Sequence, residues 1–324
     1  MFQYVFPPRP VSIAVAPRVA GIEAQLAIPG EFLAAALLSS LAALALLMRL
    51  AQLTVLPWAL HNAPFYLCGV AALGLHFGLR DATGRVARAI ADGAQYIAIL
   101  TLIVLLGAVA SYPMAAESHG FSDAALQRVD LALHFDWLGW YRLVAAHPML
   151  QEAGRIAYQS IYLTPALLLG YFAWGQHRVE ARRFLATFWL AALITLALFP
   201  LMPAVGPLAY LWRGPIPYMP ESALWQPELI PALRLHAIHQ VDLGVLRGLV
   251  SAPSFHTVAA ILYIATAWRI RRLRWPVTAV NLAMLLATPV EGTHYLADML
   301  AGAGVAMVAI LLVSRLAPRN PQAL

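Results

Sequence analysis

The sequence predicts an all-α fold, a polytopic integral membrane helix bundle, and it does so through composition, the length of the apolar blocks and the placement of arginine. Of the 324 residues, 61% are hydrophobic and 11% charged, and the mean hydropathy is +0.72. A soluble chain of this length could not enclose that much apolar surface. Several apolar blocks approach the roughly 18–20 residues that a helix needs to cross a bilayer core. The 21 basic residues are all arginine, and many gather in short segments between the blocks.

Residues 1–30 read as a tail with an interfacial stretch, because proline and arginine interrupt every apolar run. The same prolines argue against a cleavable signal peptide. Eight spans are expected, at 31–48, 55–78, 90–112, 153–174, 184–203, 254–270, 276–290 and 294–314, the seventh ended by Pro289. The chain then divides into a tail with two accessory helices (1–89), a six-helix membrane domain (90–316) and a C-terminal tail (317–324).

Eight spans put the loops bearing Arg80, Arg85 and Arg88, then Arg178, Arg182 and Arg183, then Arg269, Arg271, Arg272 and Arg274, and the tail bearing Arg315 and Arg319, on one side. The positive-inside bias makes that side cytoplasmic, along with both termini. Trp174, Trp268 and Trp275 mark the same span ends, as an aromatic belt does. The net charge of +6 is thereby explained without a nucleic-acid partner. Cys68, inside an apolar block, is the one cysteine; it excludes an intramolecular disulfide and reads as a small hydrophobe.

The opposite side receives two long connections, about 113–152 and 204–253. The first has apolar residues at helical spacing with charges between them, the pattern of an amphipathic or re-entrant helix. The second is rich in proline and tryptophan and reads as an ordered lid, since disordered segments are poor in aromatics.

Two short strings on that side carry chemistry. One is Pro253-Ser254-Phe255-His256, opening the sixth span; the other is His294-Tyr295-Leu296-Ala297-Asp298, opening the eighth. His294 and Asp298 are four apart and share one helix face. A carboxylate beside one ring nitrogen fixes the tautomer and frees the other nitrogen as nucleophile or base. His256 is then a candidate general acid. Ser254 sits where a helix N-terminus, with free N–H groups and a positive dipole end, cradles an anion. Thr288, Glu291 and Arg247 complete the candidate set as substrate contacts, Arg247 beside Arg234 and Arg213 as possible phosphate-binding cations. The same residues also fit a structural hydrogen bond between His294 and Asp298, a capping role for His256, a helix-start role for Glu291, or a zinc pair with a third ligand from His236, His239 or Asp242. Asp130, His134 and Asp136 read either as reaching over the site or as a solvated amphipathic face.

Pro-Ser-x-His followed by His-x3-Asp resembles the type 2 phosphatidic-acid phosphatase superfamily, which includes the vanadium haloperoxidases. The chain looks closest to the inositol phosphorylceramide synthase-like branch. The similarity covers roughly 120–310 and extends to Val129–Trp137 and Pro200–Pro207. The usual first motif, Lys-x6-Arg-Pro, is absent, and Ala287 and Thr288 stand where the usual third motif has Ser-Arg. The loss of that Arg is shared with the synthase branch. The resemblance implies a six-helix phosphatase-like core, a phosphohistidine intermediate on His294, protonation of the leaving group by His256, and no metal or cofactor. Its implied partners are a phospholipid or lipid-phosphate substrate, a lipid-alcohol or water acceptor such as a ceramide, and membrane lipids. The expected location is a bacterial inner membrane, with the site on the extracytoplasmic face. The competing expectation is a lipid-binding or transport protein that keeps the motif without turnover.

Overall fold

A computed structural model describes residues 28–56, 60–79 and 81–316. The expectations for the N-terminal tail before residue 28 and for 317–324 lie outside the described residues. Among those described, twelve α-helices run in the order α1 (Gly30–Leu50), α2 (Ala63–Leu79), α3 (Arg85–Ala116), α4 (Asp123–Ala132), α5 (Trp137–Ala145), α6 (Pro148–Gly175), α7 (Arg178–Leu198), α8 (Pro207–Leu211), α9 (Gln226–Arg234), α10 (Phe255–Ala267), α11 (Arg274–Glu291) and α12 (Leu296–Leu316). Four stretches, Gly30–Leu50, Arg85–Ala116, Arg178–Leu201 and Leu296–Leu316, are long and apolar enough to cross a membrane. The chain is an all-α membrane helix bundle, and each of the eight expected spans coincides with a helix.

Local chemistry sets the helix boundaries. Pro29 precedes α1, and Pro148 occupies the first turn of α6, where its missing N–H costs nothing. α6 stops where Gln176 turns left-handed at φ 57. Asp298 in the first turn of α12 and Arg315 in its last complement the helix dipole. Pro289 does not end α11 as expected: the helix continues to Glu291 and closes at Gly292, whose N–H donates to Thr288 O. A proline so near the helix end forfeits a single backbone hydrogen bond.

The second expected span also starts later. Val55, with Thr54 before it, instead pairs in parallel with Val241 and Gln240 (β1, Thr54–Val55; β2, Gln240–Val241), tying the segment after α1 to the long second connection. α2 packs on α3 and otherwise shows an exposed apolar face, with Leu67 at 67% and Val70 at 69%. Cys68 is exposed on this helix rather than buried, because α2 flanks the bundle.

The bundle's core is built from α3, α6, α7, α10, α11 and α12. Leu168, Leu169, Phe172, Leu185 and Tyr263 are fully buried there. The Phe188 and Tyr263 rings stack at 6.3 Å, and the Tyr263 hydroxyl donates to Ile161 O at 3.0 Å. At one end, Arg178 pairs with Asp92 at 3.0 Å, Arg85 lies 5.1 Å from the Trp174 ring centre and Trp268 meets Trp275 edge-on. Two of the segments that the arginine pattern groups together, those bearing Arg85 and Arg178, thus meet. The other end carries α4, α5, α8, α9 and the starts of α10 and α12.

Candidate active site

The turn between α11 and α12 holds His294. Its backbone N–H donates to Pro289 O at 3.1 Å, and that of Thr293 donates to Val290 O. The side chain is buried, 4% exposed, with Nδ1 2.9 Å from Asp298 Oδ1. Asp298 is 1% exposed, and its second oxygen accepts the Tyr295 N–H at 2.7 Å. A carboxylate that only accepts keeps the proton on Nδ1, so Nε2 carries the free lone pair. This is the arrangement a nucleophilic or basic imidazole needs.

The start of α10 lies beside this turn. The Ser254 N–H donates to Asp298 O at 3.1 Å, and Ser254 Oγ accepts the Thr257 N–H at 3.4 Å. The approach is so close that a Cβ on Gly302 would fall 2.4 Å from Ser254 O. Only glycine lets α12 cross α10 there. That crossing brings the His256 and His294 ring centres to 6.4 Å, close enough for both rings to act on one bound group. The His256 ring stacks on Tyr158 of α6 at 3.8 Å and 14°.

The first long connection clamps the site from outside. Asp130, 0% exposed, accepts the N–H groups of Leu296 at 3.0 Å and Ala297 at 2.8 Å, and so caps α12 from a distant helix. Burial pushes its carboxyl up, and the two N–H groups pull it back. Asp123 accepts the N–H groups of Val205 and Gly206 and the Tyr295 hydroxyl, at 2.9–3.0 Å. Gly206, at φ 90, leaves no room for a Cβ against Thr293 O. Trp137 Nε1 donates to Pro289 O at 2.8 Å.

The second connection is latched by Glu291. Its buried carboxylate accepts the Tyr218 hydroxyl at 2.8 and 3.0 Å and the Glu221 N–H at 3.1 Å. Burial and the Glu291 carboxylate push the Tyr218 hydroxyl up to about 12, while the nearby Arg155 guanidinium draws it back.

Of the residues singled out from sequence, His256, His294, Asp298 and Ser254 meet at one place. Glu291 adjoins them but holds the second connection. Thr288, fully buried, turns its hydroxyl to Met284 O at 2.7 Å within its own helix. Arg247 lies over the Trp225 ring at 3.9 Å. His236 and His239 sit with Nδ1 3.3 Å from the carbonyls of Ala51 and Gln52. Among the described residues no group of three or more His, Cys, Asp or Glu could hold a metal ion. Asp136 caps α5 through Gly139 N.

Sequence reasoning missed Asp123, Tyr158, Gly302 and Arg155. The last had a signal: it is a charged residue within the expected fourth span, where a charge is costly.

Comparison with known proteins bears on these residues. A family model described as PAP2 superfamily matches residues 124–312. No curated protein and no solved structure matches the chain.

Proposed function

Because the chain belongs to the PAP2 superfamily, whose model matches more than half of its length, we propose that it is a membrane-embedded lipid phosphatase or lipid head-group phosphotransferase of the inositol phosphorylceramide synthase-like branch. Membership itself carries the coarser reading, a phosphatase-type, lipid-related activity on phosphoric esters. The buried His294–Asp298 hydrogen bond with the His256 ring beside it supports the phosphohistidine mechanism, and Ala287 and Thr288 in place of Ser-Arg support the branch.

In this mechanism His294 Nε2 attacks the phosphorus of the lipid phosphate. A nitrogen–phosphorus bond forms, and the bond to the departing lipid alcohol breaks. Protonated His256 gives that oxygen its proton. Neutral His256 then takes a proton from the acceptor hydroxyl, whose oxygen attacks phosphorus and releases His294. Asp298 keeps the His294 ring in its tautomer and steadies the charge that develops on it. Water as acceptor makes a phosphatase; a lipid alcohol, ceramide among them, makes a transferase. His294 is the nucleophile, and His256 carries one proton from the acceptor to the leaving alcohol over the full cycle. The reaction takes place at the extracytoplasmic face of a bacterial cytoplasmic membrane, with both termini inside, on the arginine distribution.

The test is phosphate release and head-group exchange by the purified protein in mixed lipid micelles, beside His294→Ala. Phosphate release by wild type alone supports the phosphatase, and exchange without release supports the transferase. Identical behaviour of the two proteins over a broad lipid panel sinks the phosphohistidine mechanism.

A further inference from the structure

A lipid phosphate needs a cation, and the arginines first considered for it are engaged elsewhere. Arg247 lies over Trp225, Arg234 donates to Ser118 and Gly120 O, and Arg213 donates to Trp212 O. Arg155 stands differently. It precedes Tyr158 by three residues on α6, so the two share a face, and Tyr158 carries the stacked His256 ring. Its neighbour Gly154 packs so tightly on Glu291 that a Cβ would lie 3.1 Å from Oε1. This face of α6 therefore borders the histidine pair, with Arg155 one turn nearer the outer rim.

The Arg155 side chain is 42% exposed. Its partners are Glu152 at 3.2 Å and Glu221 at 3.6 Å, themselves 61% and 34% exposed, and the Tyr218 hydroxyl. Ion pairs this open to water are weak and exchange readily. Glu221 has other support: its side chain accepts from Gln159 Nε2 at 2.9 Å, and its N–H donates to Glu291. Tyr218 keeps its bond to Glu291 at 2.8 Å, so releasing Arg155 leaves neither Glu221 nor the second connection adrift.

We propose that Arg155 is the cation that receives the substrate's phosphate, exchanging Glu221 for phosphate oxygens as the lipid enters. The inference rests on the phosphotransfer reading above. The planar guanidinium offers two parallel N–H groups to two phosphate oxygens, a fork that the point charge of a lysine does not match. It stands in for the motif cations that this chain lacks. The anion it recognises is the phosphate itself, whether on a lipid or free.

Full-length protein in detergent micelles is titrated calorimetrically with orthovanadate and with inorganic phosphate, and KM and kcat are measured on phosphatidate micelles. Arg155→Gln should weaken both anions at least about tenfold and raise KM in step, with kcat less affected. Arg155→Lys should recover part of the loss. Glu221→Gln, which removes the competing carboxylate, should tighten vanadate binding severalfold. A folded Arg155→Gln protein that binds vanadate like wild type overturns the assignment, as does a loss confined to the lipid. Turnover indifferent to His294→Ala overturns the phosphotransfer reading instead, and absence of vanadate binding by wild type overturns both.

Discussion

Two helix starts meet at the His–His–Asp cluster, and they are finished in opposite ways. The start of α12 is closed: Asp130 takes the Leu296 and Ala297 N–H groups, and Asp298 takes that of Tyr295. The start of α10 is open: Ser254 takes the Thr257 N–H at 3.4 Å, and the N–H groups of Phe255 and His256 have no partner among the described residues. A closed start is quenched and rigid, whereas an open one keeps its positive dipole end for an anion. On the proposed reading, α12 holds the nucleophile still and α10, with Arg155 beside it, receives the charge.

The largest test of this contrast removes what the closed start holds. His294→Ala should lower turnover by about 10⁴-fold or more, by analogy with the loss of a nucleophile or its base, while the protein still folds and binds vanadate. Activity above a tenth of wild type, in the micelle assay, would break the division of labour. Next comes the crossing that sets the two starts side by side. Gly302→Ala drives a methyl into Ser254 O, and should cost about 10–100-fold in kcat/KM, because small misplacements of reacting groups are expensive. Thermal unfolding of the same variant should report about 1–3 kcal/mol of overpacking.

Closing the start of α12 is worth less. Asp130→Ala strips two N–H groups of their acceptor and should cost about 2 kcal/mol of stability, read by chemical denaturation. Asp130→Asn, which keeps one acceptor oxygen, should recover part of it. No loss in either variant would mean that α12 is held by packing alone. The smallest effect belongs to the open start: Ser254→Ala removes a cap worth about 1 kcal/mol, and vanadate affinity should fall less than for Arg155→Gln.

The parts of the molecule that were legible in the sequence are those set by near neighbours along the chain. Eight apolar blocks became eight helices, since block length and hydropathy are local properties. His294 and Asp298 are four residues apart and do meet, but not on one helix face as expected: His294 lies in the turn before α12, and Asp298 reaches back to it from the first turn of that helix. Of the exceptions, one was local and one was not. α11 passed Pro289 because the cost of a proline is small so near a helix end, whereas Val55 left the second span to pair with Val241, far along the chain.

The clamp on the site was not legible. Asp130 and Leu296 are 166 residues apart, and Asp123 and Tyr295 are 172. Periodicity marks Asp130 equally well as a solvated charge on an amphipathic helix, and only the contact reveals a buried cap. Glu291, read as a substrate contact or a helix-start carboxylate, lies where the Tyr218 hydroxyl and Glu221 N–H converge. Nothing in its own surroundings along the chain announces that latch.

By itself, then, the sequence determined that this protein is a membrane helix bundle, which connections are long, and that His294 and Asp298 lie near each other, because hydropathy and close spacing act over short stretches of chain. The tertiary structure decided that α10 and α12 touch through Gly302, that Tyr158 backs His256, that Asp130 closes one helix start while the other stays open, and that Arg155 borders the site. Each of those depends on backbones from distant parts of the chain arriving within a few ångströms, and such an encounter leaves no local mark on any of the residues that make it.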